Sequence, residues 1–337
     1  MAKYVVTGAT GFLGANLVRA LLSEGHDVEC IIRKPNLLVD ELAVGLHTIP
    51  LVDKPKSVND LAKVMQDADG VYHLAGIFDP SPEGLSRMTQ VHIFGTRALL
   101  RAAEQANVRR FVHCSSSITV GFSRTEPTHT DDCEDWIINP NDTYGTSGAL
   151  RHYYNTKIQS EELVIGWEGL DTVIVNPDYI LGPWDVKPTS GQMILSLCKG
   201  RLPVYPKGGK CFLGAEDCAS AHIAAMEKGV RGERYLLGAH NLTYRELLTK
   251  ASVILDKSPP RFAVPRLGTQ LLGAIGGPLI ALDPHRFAGL DSYVLRSMQE
   301  NRFRTGAKMI RELGVKPQPM EYAIERTIRW FNDHQYY

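Results

Sequence analysis

The stretch Tyr4-Val5-Val6-Thr7-Gly8-Ala9-Thr10-Gly11-Phe12-Leu13-Gly14 constrains the chain most, because it joins a short β-branched run to glycines spaced G-x-x-G-x-x-G. Lys3 to Thr7 carries no charge after its first residue, which suits a central parallel strand covered on both faces. Gly8 lets the chain turn off the strand, Gly11 lets backbone approach a pyrophosphate, and Gly14 lets the next helix pack on the sheet. Leu13, Leu17, Val18, Leu21 and Leu22 then make an apolar helix face, and Val28 to Ile32 supplies a second strand. Strand, helix and strand in that order are the setting of a dinucleotide site. Gly8, Thr10, Gly11, Phe12, Leu13 and Gly14 are therefore its expected phosphate contacts.

The second strand ends at Arg33-Lys34-Pro35, where an adenosine ribose would lie. A carboxylate there would bond a free 2′-hydroxyl, whereas two cations suit a 2′-phosphate. Arg33 and Lys34 therefore favour NADP(H), with NAD(H) as the alternative.

The alternation continues through a third strand (46–51), a helix from Ser57, a fourth strand (70–74), a long helix (85–106), a fifth strand (110–114) and a sixth (172–176). Such a pattern predicts an α/β fold, a Rossmann doubly wound parallel sheet, followed by a smaller, mostly helical C-terminal substrate domain. Residues 1–175 form the expected nucleotide-binding domain, with about 211–237 returning to it, and 176–337 the substrate-binding region. His73-Leu74-Ala75-Gly76 ends the fourth strand in small residues that let backbone meet a flat ligand. The fifth runs out into Ser115-Ser116-Ser117, at the sheet edge where such folds hold ligands. The irregular 121–141 stretch reads as a loop over that edge with a lid role.

Tyr153 and Lys157 lie one helical turn apart, so a phenol and an ammonium share a face. The ammonium favours the phenolate, which equips the tyrosine for proton transfer near neutral pH. Tyr144 and Tyr154 have Gly148 and Ile158 at the same spacing, so the register singles out Tyr153.

Beyond Pro177 the pattern gives helices near 192–199, 218–226, 243–255, 267–282, 305–313 and 320–331, a turn at Lys207-Gly208-Gly209, and a strand at 234–237. Thr243 and Glu246 form a capping box. Leu271 to Leu282 is too short to span a bilayer and reads as a packed helix, with a peripheral membrane patch as the second reading. Lys plus Arg equals Asp plus Glu at 37 each without runs of one sign, which argues against a nucleic-acid partner. The six cysteines are scattered without metal-site spacing, so no metal and a reducing, cytoplasmic setting are expected.

Together these residues resemble the extended short-chain dehydrogenases/reductases of the NAD-dependent epimerase/dehydratase family. The nearest branch is the dihydroflavonol reductase-like and hopanoid-associated sugar epimerase-like one. Thr7 to Gly14 is similar to the family's T-G-x-x-G-x-x-G, His73 to Gly76 to its H-x-A-G, and Tyr153 with Lys157 to its Y-x-x-x-K. Aligning Phe111 to Ser116 with its S-S element makes Ser116 the catalytic equivalent, Ser117 being one register away.

The resemblance implies hydride transfer from a nicotinamide to a substrate carbonyl carbon, with Tyr153 giving a proton to the oxygen, Ser116 bonding it and Lys157 holding the nicotinamide ribose. It also implies cofactor contacts at Leu51, Leu74, Ala75, Gly76, Pro177 and Ile180, and a homodimer. Ile77, Phe78, Ser117, Tyr179 and Trp184 are the expected substrate neighbours.

Three positions depart from the family pattern. His92 replaces its frequent Asn and is either a core histidine or a proton relay. Pro50 replaces an adenine-binding Asp, and Ser115 to Ile118 lacks the T-D-E of sugar dehydratases. The implied activity is NADP(H)-dependent reduction of a ketone or aldehyde on a small, fairly apolar molecule. The alternatives are an NAD-dependent nucleotide-sugar epimerase and a non-enzymatic dinucleotide sensor.

Overall fold

The computed structural model describes residues 1–337 apart from 37, 41, 129–130, 147, 189 and 288–289. The chain opens with β1 (Lys3–Thr7), α1 (Phe12–Ser23), β2 (Asp27–Ile32), β3 (Gly45–Thr48), α2 (Pro55–Met65) and β4 (Gly70–His73). It continues through α3 (Pro82–Thr89), α4 (Thr96–Gln105), β5 (Arg110–Cys114), α5 (Pro140–Tyr144), α6 (Ala149–Ile165) and β6 (Asp171–Pro177). Next come β7 (Tyr179–Leu181), α7 (Gln192–Cys198), β8 (Val204–Tyr205), β9 (Gly209–Gly214), α8 (Ala215–Lys228), β10 (Arg234–Leu237), β11 (His240–Thr243) and α9 (Tyr244–Ile254). The chain finishes with β12 (Phe262–Ala263), α10 (Arg266–Leu282), α11 (Pro284–Phe287), α12 (Ser292–Ser297), β13 (Asn301–Arg302) and α13 (Met320–Asp333).

Seven strands pair in the order β10-β6-β5-β4-β1-β2-β3, every pair parallel. Because successive side chains on a strand point to opposite faces, Val5, Ile31, Val71, Phe111 and Ile174 pack with α2 and α4 on one side. Tyr4, Val6, Tyr72, Val112 and Val175 pack with α1 and α8 on the other. Burial on both faces is why these strands read as continuous apolar runs.

A second sheet centres on β9, which pairs with β7 and β13 in parallel and with β11 antiparallel. The turn expected at Lys207-Gly208-Gly209 is thus the entry to a strand. Thr243 and Glu246 form the expected capping box at the start of α9.

Other elements also differ from the expected pattern. The long helix over 85–106 is two α-helices joined by a π-helical turn, Gln90–Gly95, built around His92. Strand β3 ends at Thr48, short of Pro50, which has no N–H to give a ladder. The 121–141 stretch is held by three described hydrogen bonds, one within it and two to the rest of the chain. Gly121 N–H donates to the Trp136 carbonyl at 3.1 Å, Leu236 N–H to Glu134 Oε1 at 2.6 Å, and the Cys133 thiol to the Thr305 carbonyl at 3.1 Å. Helix α10 packs through one face only, Gly273 against Ser292 and Gly276 against Leu290, while Leu267, Leu271, Ile275 and Leu282 stand exposed on the other. Among the described residues no helix is long and apolar enough to cross a membrane.

Candidate active site

The carboxyl ends of β1, β4, β5 and β6 open onto one edge of the sheet. Strands β1 and β4 lie side by side where the strand order reverses, the place where open α/β sheets hold ligands. Gly8 leaves β1 at φ +78°, and a Cβ there would meet the Leu74 and Ala75 backbone. Gly14 abuts the Gly8 carbonyl so closely that any side chain would collide, which brings α1 directly to the strand end. Gly11 is exposed, and its N–H donates to the Gly8 carbonyl at 2.9 Å. Helix α1 then starts with no side-chain cap and no carboxylate in its first turn. Its leading N–H groups and positive dipole end fit a pyrophosphate, with Thr10, Phe12 and Leu13 beside them. Asn36 Nδ2 donates to the Thr10 carbonyl at 3.1 Å and so anchors the turn to the end of β2, where Arg33 and Lys34 are exposed.

Beneath this turn His73 locks the Leu74-Ala75-Gly76 backbone in place. Thr96 donates its hydroxyl hydrogen to the His92 carbonyl, so His73 Nε2 donates to Thr96 Oγ1 at 2.9 Å and its Nδ1 accepts from Thr7 at 2.8 Å. Thr7 Oγ1 in turn accepts the Ala75 N–H at 3.2 Å. Burial, and after it the Lys157 charge, lowers the His73 pKa to about 3, so the ring is a neutral structural strut.

Tyr153 and Lys157 project from one face of α6. Lys157 is buried, and its ammonium donates to the Cys114 carbonyl at 3.2 Å. Gly76 stands directly over it, where a Cβ would lie 3.3 Å from Nζ. The Tyr153 ring is partly exposed between two edge-on rings, Phe78 at 5.6 Å and His92 at 5.5 Å between centroids. The structure therefore brings Gly76, Ile77, Phe78, Tyr153 and Lys157 together.

Of the three serines, Ser115 and Ser117 are buried and Ser116 is half-buried. Ser117 donates to Asp178 Oδ1 at 2.9 Å, whereas Ser116 Oγ accepts the Ile118 N–H at 3.3 Å, capping the 3-10 turn Ser117–Thr119. Below them lies a network the sequence reading did not reach. Asn176 Nδ2 donates to the Ser116 carbonyl at 3.2 Å and to Glu161 Oε1 at 2.7 Å, and Thr119 Oγ1 donates to that same oxygen. Glu161 follows Lys157 by one turn of α6, so the spacing of 153, 157 and 161 was the available signal.

The side chains of the other expected residues are held as follows. Leu51 lies against Gly95 of the π-helical turn, and Pro177 closes β6. The Ile180 side chain joins the core, and Tyr179 packs edge-on to Phe212 at 5.3 Å. Trp184 lies under the Arg19 guanidinium, 3.6 Å from the ring centroid, and packs with Trp330 and His334.

A glycine turn feeding a helix, a strand-end serine and a Tyr-x-x-x-Lys helix on a parallel sheet define an extended short-chain dehydrogenase/reductase. The match to that family's model, described as the NAD dependent epimerase/dehydratase family, runs over residues 4–238. The chain belongs to this family.

It is 33% identical to sterol demethylase protein B of Methylococcus capsulatus over 98% of both chains. It is 28% identical to a dihydroflavonol 4-reductase-like protein of Synechocystis, covering 99% of this chain and 95% of that one. Among solved structures it superposes on the UDP-glucuronic acid 4-epimerase of Bacillus cereus in complex with NAD at a TM-score of 0.72. That match covers 98% of this chain and 99% of the other at 18% identity, which shows the shared fold.

Proposed function

We propose that the protein is an NADP(H)-dependent oxidoreductase that interconverts a carbonyl and an alcohol on a small, fairly apolar molecule. The observation that carries this reading is the setting of Tyr153, a phenol framed by the Phe78 and His92 rings one helical turn from a buried ammonium. An aromatic frame of this kind suits a fairly apolar substrate. The names of the two full-length relatives, a sterol demethylase protein and a dihydroflavonol 4-reductase-like protein, support the same class.

The residues at the glycine turn fit a dinucleotide, which when bound would supply or take up the hydride. Residues 1–175 with α8 and β10 would hold it, and the rest of the chain would shape the substrate side. Tyr153 gives its proton to the carbonyl oxygen in the reductive direction. Ser116 donates a hydrogen bond to the same oxygen as negative charge develops there. Lys157, fixed by the Cys114 carbonyl, keeps a positive charge beside the phenol and against the Gly76 backbone. Arg33 and Lys34 meet a 2′-phosphate at the end of β2.

The test has two arms. Titration with NADPH and NADH should show tighter NADPH binding, and Arg33→Ala should weaken NADPH by about tenfold or more while sparing NADH. NADPH oxidation across a panel of apolar and aromatic ketones and aldehydes should find a substrate, and Tyr153→Phe should lower kcat on it by about a hundredfold or more. A preference for NADH untouched by Arg33→Ala overturns the cofactor choice. A panel without turnover, or a fully active Tyr153→Phe variant, overturns the reaction.

A further inference from the structure

Helix α10 is built the wrong way round for a water-facing element. Gly273 and Gly276 turn inward, Gly273 against Ser292 and Gly276 so close to the Leu290 carbonyl that a Cβ would collide. The bulky residues turn outward. Leu267, Leu271, Ile275 and Leu282 follow one another at helical spacing along a single stripe, at 66%, 61%, 55% and 81% exposure, with Leu272 beside them. No charged residue occurs between Leu267 and Leu282. Phe262, on β12 just before the helix, is also 70% exposed. A continuous outward stripe of this size differs from the scattered apolar residues of an ordinary surface, and marks a face that meets something apolar.

The segment that carries the stripe is cationic in composition. Segment 257–296 holds Lys257, Arg261, Arg266, Arg286 and Arg296 against Asp283 and Asp291, in a chain whose net charge is zero. Arg261 and Arg296 are exposed, whereas the Lys257 ammonium donates to the Cys198 carbonyl at 2.6 Å. Two copies meeting through this face would bring like charges together, whereas a surface of anionic lipid headgroups over an apolar interior matches both the cations and the leucines.

The short helices packed against the inner side of α10 reach the rim of the cleft. His285 Nε2, on α11, lies 3.7 Å from Asp79 Oδ1, next to Phe78, and the Tyr293 ring of α12 is packed on Gly145, just before α6.

We propose that the outward face of α10 is a docking surface for anionic membranes, lying in the interface plane without crossing it. A molecule dissolved in lipid would then meet the cleft at its edge. This delivery rests on the apolar-substrate reading above, but the docking itself does not.

Cosedimentation with phosphatidylcholine vesicles, with and without phosphatidylglycerol, tests the proposal on the full chain, with dinucleotide binding measured in parallel as the folding control. The protein should sediment with the anionic vesicles and little with the neutral ones. Leu271→Glu/Ile275→Glu should cut the bound fraction by about tenfold or more while leaving dinucleotide affinity unchanged. Arg261→Glu should weaken binding to the anionic vesicles and leave the weak binding to neutral vesicles as it is. Equal sedimentation with neutral vesicles, no sedimentation with either, or a double variant that binds like the parent overturns the proposal. So does a parent that is a dimer in solution and that the double variant converts to monomers, since the face then belongs to a second copy.

Discussion

The His92 imidazole stands edge-on to the Tyr153 phenol, with ring centroids 5.5 Å apart, and is held at both nitrogens. Nε2 accepts the Ile77 N–H at 3.1 Å. Thr156 gives its hydroxyl hydrogen to the Tyr153 carbonyl, so Nδ1 donates to Thr156 Oγ1 at 2.8 Å. The ring thus ties the strand-end loop carrying Ile77 and Phe78 to the turn of α6 carrying Tyr153. Burial first, then the Lys157 charge, lowers its pKa to about 2.

A ring so held at both nitrogens is expected to position the site rather than to relay a proton. His92→Asn should therefore lower activity without changing the shape of the pH–rate profile between about pH 5 and 8. His92→Leu, which leaves the Ile77 N–H without its acceptor, should also cost about 1–3 kcal/mol of stability in urea unfolding. An acidic limb in the parent profile that disappears in His92→Asn would make the histidine a relay instead.

Arg304 ties the C-terminal part of the chain to the serine end of β5. Its guanidinium donates to Asp178 Oδ2 at 2.8 Å and to the carbonyls of Gly121, Ser117 and Val120 between 2.9 and 3.1 Å. The two charged side chains are only 3% and 5% exposed, so neither can exchange its partner for water. Arg304→Met should destabilise the protein by about 3–5 kcal/mol, since it leaves a buried carboxylate uncompensated. Asp178→Asn in the Arg304→Met background should recover part of that loss, and chemical denaturation of the single and double variants measures the recovery. An additive double variant would mean that the carboxylate is not held by the arginine.

What was legible in the sequence was local. The glycine turn, the six strands of residues 1–177 and the Tyr153–Lys157 spacing each declare themselves within a dozen residues, because double-sided burial and helical periodicity act over short distances. The second sheet is not local. Lys210 pairs with Arg302 and Cys211 with Asn241 through strands of a few residues, so no single stretch carries the pattern. Which serine is buried depends on Asp178 and Asn176 arriving from β6 and the turn after it, and the place of Glu161 depends on the same residues. The apolar run 267–282 marks a helix correctly, but whether a helix faces core or exterior is decided by the partners that pack on it.

Four histidines buried among the described residues make acid sensitivity a property of the fold. Burial lowers His73 to about 3, His92 to about 2, His222 to about 4, and His113 well below its usual value. The unfolded chain takes up a proton on each near its ordinary value of about 6.5, and the folded chain does not. Stability is therefore whole above that pH and is lost progressively as pH falls, by roughly 2 kcal/mol per histidine at about pH 5. Four together approach the whole stability of an ordinary domain, about 5–15 kcal/mol, so cooperative unfolding between about pH 6 and 4 is expected.

His222 isolates the effect, because it lies on α8 apart from Tyr153 and Lys157. Its Nδ1–H donates to the Cys218 carbonyl at 2.8 Å, and its Nε2 is buried without a hydrogen bond among the described residues. His222→Leu should keep activity at neutral pH. The stability lost between about pH 7.5 and pH 5, read from urea unfolding, should shrink by roughly 2 kcal/mol relative to the parent. Parent and variant curves that fall in parallel would show that His222 takes up its proton as readily in the folded state as in the unfolded one.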